Sequence, residues 1–160
     1  MNVQTRRDNR FWRYGPLIAW MILIFIASTG ELSSSRTSLI VRPVLLWLFP
    51  DISESRIALA HFWVRKTAHF AEYAVLAILA ARAFSKSSYE RLRRGYFFFA
   101  LLLIVVYSVS DEIHQGFVAS RSGSVYDSLI DIAGGLTALI IYAVYRRPGA
   151  PPLSPKRSFV

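Results

Sequence analysis

Long apolar runs alternate with short polar and basic segments along this chain. Residues 14–30 (YGPLIAWMILIFIASTG) carry no charge, and residues 95–110 (GYFFFALLLIVVYSVS) form the most apolar segment. Residues 65–84 and 124–145 are also close to the about 20 residues that a helix needs to cross a bilayer. We therefore predict four helical spans. The first has a basic start that also resembles a signal peptide, but Trp20 and the spans that follow favour an uncleaved span.

The longest connection lies between the first two spans and has an apolar centre. It is expected to open as a loop at Ser33, Ser34 and Ser35. Residues 39–49 (LIVRPVLLWLF) are apolar but interrupted by Arg42 and Pro43, and they are too short to cross a membrane. We predict that this segment lies in the membrane interface, with Trp47 at headgroup depth. Asp51 or Ser53 is expected to cap the next helix.

Composition supports a membrane protein with short loops. Apolar residues make up 54% of the 160 residues, and 19 basic against 10 acidic residues give a net charge of +9. The basic residues form short clusters between apolar runs, which is a membrane topology signal and predicts no nucleic-acid partner. There is no cysteine, which excludes a disulfide framework, a thiolate metal site and a cysteine nucleophile.

The distribution of basic residues orients the predicted spans. Residues 1–13, the loop at 85–94 with the adjoining Arg82, and residues 146–160 hold 13 of the 19 lysines and arginines. The positive-inside rule places these segments in the cytoplasm. We predict an all-α fold: an integral four-helix transmembrane bundle at residues 14–145 of the bacterial inner membrane, with both termini cytoplasmic. Residues 1–13 form a basic N-terminus, and the proline-rich residues 146–160 are predicted to be a disordered tail.

This topology brings ionisable residues from three parts of the sequence to the outer ends of the spans. Residues 110–131 hold four of the ten acidic residues, and charges beside a span mark a functional site by default. Lys66, His69 and Tyr73 share one side of the predicted second span. The candidate ligand-binding residues are Lys66, His69, Glu72, Tyr73, Asp111, Glu112, His114, Gln115, Arg121, Asp127 and Asp131.

Catalytic and structural roles compete for each of these residues. His69 and Glu72 stand three apart on a helix, so they suit a ligand pair, an acid/base pair or a structural hydrogen bond. Candidate catalytic residues are Glu72, Glu112, His69 and His114, because a carboxylate or histidine in an apolar setting suits acid/base work.

Structural roles are expected for several of the acidic residues. Asp111 and Glu112 point about 100° apart, so one is expected to face the helices and the other the surface. Either could pair with Lys66 or Arg121.

Two acidic residues of the fourth span have structural alternatives. Ser124-x-x-Asp127 matches a capping box, with Ser124 as the N-cap residue. Asp131 lies one turn deeper and is expected to accept a hydrogen bond from the second or third span. Arg121 could bind a phosphate or a carboxylate through its planar guanidinium group, although an exposed arginine is often only solvated.

Cofactor chemistry stays open at this stage. Asp111, Glu112 and His114 could supply oxygen and nitrogen ligands to a divalent cation. No HExxH motif or other zinc spacing occurs, so no metal site is predicted. No serine lies in a nucleophile elbow and no glycine-rich phosphate loop follows a strand.

Two sequence blocks resemble a known family. RKTAHFAEYAVLA and SDEIHQGFVASRSGSVYDSLIDIAGG are similar to the signature blocks of the VanZ-like family, named for the teicoplanin-resistance protein VanZ. The matching positions are Lys66, His69, Glu72, Tyr73, Asp111, Glu112, His114, Gln115, Arg121, Asp127 and Gly134. The chain departs from relatives in having Ala119-Ser120 where many have Pro-Gly, and Asp131 where many have Asn.

The resemblance implies a small bacterial membrane protein, with roughly residues 14–145 covered. For the founding member it also implies lowered susceptibility to lipoglycopeptide antibiotics, but it implies no settled biochemical activity. Three hypotheses follow: an envelope protein whose outer polar pocket binds an anionic lipid headgroup or a peptidoglycan precursor; a membrane-embedded acid/base or metal-assisted enzyme acting on a lipid or lipid-linked substrate; and a structural protein without a ligand. Whether the chain is an enzyme stays open, and the bilayer is its expected partner.

Overall fold

The fold was analysed in a computed structural model that describes residues 10–29, 34–117 and 123–146. Within these ranges every regular element is a helix. The helices are α1 (Arg10–Ser28), α2 (Ser34–Leu48), α3 (Glu54–Ser85), α4 (Glu90–Arg94), α5 (Tyr96–Gly116) and α6 (Val125–Tyr145). The all-α prediction is confirmed for the described residues. Most of the basic N-terminus and nearly all of the C-terminal tail lie outside them.

Three helices are long and apolar enough to cross a membrane, namely α1, α5 and α6. They correspond to the predicted first, third and fourth spans. Their outward faces carry large apolar side chains, such as Phe25, Val106 and Ile140, each of which is at least half exposed. Such faces suit contact with lipid, which has no hydrogen-bonding groups to offer.

The predicted second span, residues 65–84, lies within the 32-residue helix α3. Its helical structure agrees with the prediction, but α3 is not among the helices apolar enough to be recognised as a span. The polar residues Lys66, His69 and Glu72 lower its hydropathy. A fourth span and the cytoplasmic position of both termini therefore stay predictions.

The connection before α3 contains more helix than expected. Helix α2 begins at Ser34, so the predicted loop is wrong at Ser34 and Ser35, whereas Ser33 lies outside the described residues. Serine is acceptable in the first turn of a helix, where backbone N–H groups lack intrahelical partners. The apolar part of α2 is too short to span a membrane, as expected, and its interfacial location stays a prediction.

An ion pair connects the start of α3 to α2. Both guanidinium Nη atoms of Arg42 donate to the Glu54 carboxylate, each over 2.7 Å. These hydrogen bonds and the charge of Glu54 raise the pKa of Arg42. Ser53 is the N-cap residue of α3, as one of the two predicted alternatives, although its side chain makes no capping hydrogen bond.

Helix α3 is the central element of the fold. It packs most extensively on α6, and also on α5 and α1. Small residues of α3, including Ala77 and Ala80, are fully buried there with Leu76, Ile104 of α5 and Leu139 of α6. Because alanine leaves little side chain between neighbouring backbones, the helices around α3 approach closely.

Glycines of α6 allow the closest approach. A Cβ atom added to Gly134 would lie 2.2 Å from the carbonyl oxygen of Phe70 on α3. One added to Gly135 would lie 2.8 Å from the Ile104 side chain on α5. Both glycines and Ala138 are buried, and this small-residue face sets the separation of the helices that carry the polar residues.

Candidate functional site

Polar side chains from α3, α5 and α6 meet at one end of these helices. We call this group the polar cluster; its members are Lys66, His69, Tyr73, Ser108, Asp111, Glu112, Gln115, Asp127 and Asp131. All but Lys66 are buried. The C-terminal turns of α5 and the first turns of α6 adjoin one short connection, and α3 lies against both helices. The structure thus unites most of the predicted site residues.

An ion pair joins α3 to the first turn of α6. The ammonium group of Lys66 donates to Asp127 Oδ1, and the two side chains are 17% and 5% exposed. The ammonium group also lies 5.2 Å from the centre of the Phe62 ring, a cation–π distance. Lys66 therefore neutralises Asp127 rather than Asp111 or Glu112, the acidic partners considered for it in the sequence.

Asp131 connects all three helices. His69 Nδ1 on α3 lies 3.1 Å from Asp131 Oδ1, and Ser108 Oγ on α5 donates to Asp131 Oδ2 over 3.0 Å. The predicted hydrogen bond from Asp131 to a neighbouring span is confirmed. Asp131 is fully buried, so these partners fix its carboxylate and, through it, the orientation of the His69 ring.

Glu112 receives its hydrogen bond from the backbone. The N–H group of Ser124 donates to Glu112 Oε2 over 2.6 Å, whereas Oε1 is buried and has no hydrogen-bond partner. Ser124 is the N-cap residue of α6 but makes no side-chain capping bond. The predicted capping box is therefore wrong. The Asp127 side chain pairs with Lys66, and the N–H group of the N-cap residue donates to Glu112 of α5 instead.

Asp111 and Glu112 are both buried, each only 7% exposed. The prediction that one of them faces the surface is wrong. Gln115 Nε2 donates to Asp111 Oδ2 over 3.0 Å, so Asp111 is satisfied within its own helix. A wide arc of α5 is covered near its C-terminal end because both α3 and α6 pack against it.

Two further buried polar atoms of the polar cluster have no hydrogen-bond partner. They are the hydroxyl of Tyr73 and Oε1 of Gln115. The Tyr73 hydroxyl interacts electrostatically with Asp111, Asp131 and Glu112. Buried polar atoms are nearly always satisfied in folded proteins, so these atoms require a partner that the described side chains do not supply, such as a ligand, an ion or water.

Three predicted site residues lie elsewhere or outside the described ranges. His114 Nδ1 lies 3.5 Å from Ser28 Oγ, and its ring stacks on Phe25 at 4.7 Å, so His114 contacts α1. Glu72 is only half-buried and interacts electrostatically with His69, while its carbonyl accepts a hydrogen bond from Trp20. Arg121 lies outside the described residues.

Sequence reasoning missed Ser108. This residue is fully buried and holds Asp131, but in the sequence it lies inside a uniformly apolar span. The available signal was its spacing: Ser108 stands three and four residues before Asp111 and Glu112, on the same side of a helix.

Three potential donors for a metal ion lie at the centre of the polar cluster. His69, Glu112 and Asp131 each offer one donor atom, and these atoms all lie within 4.8 Å of one another. The three are buried and come from three different helices. The donor set of one imidazole and two carboxylates differs from the combination of Asp111, Glu112 and His114 that the sequence offered.

The fold and the cluster together define an α-helical membrane protein with ionisable side chains buried between its helices. More specifically, the chain belongs to the VanZ/LLP1 family, whose model matches residues 11–146. This assignment confirms the resemblance of the two sequence blocks. Searches of curated proteins and of solved structures found no match.

Proposed function

We propose that this protein is a membrane-embedded enzyme of the bacterial cell envelope that acts on the polar part of a lipid or lipid-linked substrate. The observation that carries the proposal is Oε1 of Glu112, which is buried and unpartnered beside the His69–Asp131 pair. An acid or base must be free to exchange a proton with a substrate. Glu112 meets this requirement, whereas Asp127 is neutralised by Lys66.

His69 and Asp131 complete the proposed acid/base apparatus. Asp131 binds the Nδ1 side of the His69 ring, so proton exchange with a substrate falls to Nε2. A histidine whose second nitrogen is held by a carboxylate is a recurrent general base in enzymes. Ser108 in turn holds Asp131, which limits rotation of the whole arrangement. We assign Glu112 and His69 as catalytic residues, and Asp131 and Ser108 as positioning residues.

Binding of an anionic headgroup or a peptidoglycan precursor is a weaker candidate function. It would rely on Lys66 and Arg121. Lys66 already pairs with Asp127. The polar cluster, as defined above from the described residues, contains four carboxylates, and Lys66 is its one permanently charged cation. An anion would meet more repulsion than attraction there, so we place catalysis first.

The proposal is tested by comparing the lipids of bacterial cells that express the wild-type chain, Glu112→Gln, His69→Ala or Ser110→Ala. Ser110 is exposed and donates to the Val106 carbonyl of its own helix, so Ser110→Ala is the matched control. Mass spectrometry of total and lipid-linked extracts should show at least one species changed severalfold by the wild type and by Ser110→Ala. Glu112→Gln and His69→Ala, at equal protein level, should return it to the empty-vector amount.

The same strains also test the role in the cell envelope. If the family resemblance extends to antibiotic response, the wild type should lower susceptibility to teicoplanin and Glu112→Gln should not. Extracts in which Glu112→Gln and the wild type are indistinguishable would show that Glu112 has no catalytic role.

A further inference from the structure

Three side chains that can bind a metal ion lie close together at the centre of the polar cluster. His69 Nδ1 and Asp131 Oδ1 lie 3.1 Å apart. Two donors that bind a transition-metal ion in adjacent positions each lie about 2.0–2.2 Å from the ion. Such donors are separated from each other by about the distance observed between these two atoms. A donor of Glu112 lies within 4.8 Å of both, so the three side chains are close enough to share one ion.

Hydrogen bonds from outside the three ligands orient both carboxylates. Ser108 Oγ donates to Asp131 Oδ2, which leaves Oδ1 for the His69 side. The Ser124 N–H group donates to Glu112 Oε2, which leaves Oε1 without a partner. Ligating carboxylates in metal centres are held in this way, by one outer hydrogen bond each.

The charge balance of the polar cluster also favours a cation. Glu112 and Asp131 are buried, and the one lysine nearby is engaged by Asp127. Burying carboxylates without a compensating charge is expensive. A doubly charged ion bound with neutral His69 would balance both carboxylates.

We propose that His69, Glu112 and Asp131 bind one divalent transition-metal ion, with Zn²⁺ and Mn²⁺ as the ions that suit this donor set. Imidazole favours transition metals over Mg²⁺ and Ca²⁺, and three protein ligands leave an open position, as in catalytic zinc sites. The inference rests on the proposed function, because it names the cofactor of the same site. With the ion bound, Glu112, His69 and Asp131 would act on the substrate as ligands of that ion, instead of the direct proton exchange assigned to Glu112 and His69 above. Such an ion makes a bound water a stronger nucleophile or polarises a substrate oxygen.

The test uses the full chain, purified in lipid nanodiscs with an affinity tag that contains no histidine. After removal of metals with a chelator, Zn²⁺ or Mn²⁺ is titrated by calorimetry, and bound metal is counted by mass spectrometry. We expect one ion per chain for the wild type and at least 100-fold weaker binding for His69→Ala, Asp131→Asn and Glu112→Gln. His114→Ala and His61→Ala are the matched histidine controls and should bind as the wild type does.

A positioning variant separates the metal centre from adventitious binding. Ser108→Ala removes the outer hydrogen bond to Asp131 and should weaken metal binding about tenfold, whereas Ser110→Ala should leave it unchanged. A rise in the wild-type melting temperature on addition of the metal, absent in Asp131→Asn, gives a readout that does not depend on activity. Far-UV circular dichroism confirms that each variant is folded.

The outcomes distinguish this inference from the proposed function. A wild-type chain that binds neither ion at one per chain, or a folded His69→Ala variant that keeps the ion, overturns the metal centre. Either result would leave the lipid comparison of the Glu112 variant as an independent test of catalysis. Stoichiometric metal with no change in any lipid would support the metal centre and contradict the enzyme.

Discussion

At the scale of single residues, each acidic side chain of the polar cluster has a different kind of partner. Asp127 has a lysine, Asp111 an amide of its own helix, and Asp131 a histidine and a serine from two other helices. Glu112 has one backbone N–H group and one unsatisfied oxygen. Because an unpaired buried charge is expensive whereas a replaced pair can be neutral, the consequence of a substitution depends on the partner that it leaves behind.

Lys66→Met should strongly destabilise the protein. It leaves Asp127, whose side chain is 5% exposed, without its counter-charge, and the expected loss is about 3–5 kcal/mol of unfolding free energy. The double variant Lys66→Met/Asp127→Asn should recover most of this loss. Chemical or thermal unfolding in detergent measures both. Lys86→Met, at an exposed position, is the control, and equal effects of the two lysine substitutions would contradict the importance of the ion pair.

Glu112→Gln should separate stability from function. A glutamine keeps an acceptor for the Ser124 N–H group and removes a buried charge that has no counter-ion. In the presence of a chelator the melting temperature should therefore equal or exceed that of the wild type, in contrast to Asp131→Asn, which should melt lower. A retained functional residue that reduces stability is expected at active sites. A marked drop for Glu112→Gln in chelator would favour a purely structural role instead.

At the scale of the elements, the close approach of α6 to α3 positions the site. In the Gly134–Phe70 contact, Phe70 directly follows His69 on α3, and Gly134 lies about one turn after Asp131 on α6. Small residues allow such contact in membrane proteins, where packing and hydrogen bonds drive helix association. The glycines of α6 and the ionisable residues of its first turns are thus two parts of one packing arrangement, and displacement of α6 would separate the site residues.

Gly134→Ala should lower the melting temperature and disrupt the polar cluster. The new Cβ atom would lie 2.2 Å from a backbone oxygen, which cannot yield without a shift of the helix, and overpacking of this kind costs about 1–3 kcal/mol or more. Gly15→Ala is the matched control, because its Cβ atom would meet only Phe11 at 3.8 Å and alanine favours helix. Similar melting temperatures for the two variants would show that α6 has room to adjust.

At the scale of the whole molecule, the three apolar helices and the family assignment establish a membrane protein. Whether the protein has three or four spans depends on α3, whose polar residues face the neighbouring helices. Lys66, His69 and Tyr73 point to α5 and α6, while Val75 and Ile78 of the same helix are exposed. A helix that hides its polar side in this way can lie in lipid although its average hydropathy is modest.

The predicted four-span topology can be tested by labelling single cysteines, since the chain has none of its own. Ser55→Cys lies in the first turn of α3 on the predicted outer side and should react with a membrane-impermeant maleimide in intact cells. Lys86→Cys lies on the predicted cytoplasmic side and should react only after permeabilisation. Both positions are exposed. Labelling of both residues from the same side would show that α3 does not cross the membrane.

The sequence by itself determined the helical class, the position of the apolar helices and most members of the polar cluster. These properties depend on hydropathy and on the 3.6-residue repeat, which are local. The paired blocks also pointed to the correct family. The extra helix at Ser34 was not predictable in this way, because a serine run suits both a loop and the first turn of a helix.

The tertiary structure alone decided which side chains meet. Lys66 pairs with Asp127, Glu112 accepts a hydrogen bond from the N–H group of Ser124, and His114 contacts α1. Residue spacing gives the side of a helix on which a residue lies, but pairing also depends on the rotation and axial offset of neighbouring helices. In this protein contacts such as that of Gly134 with Phe70 set both quantities, and so they bring His69, Glu112 and Asp131 together from three distant parts of the chain.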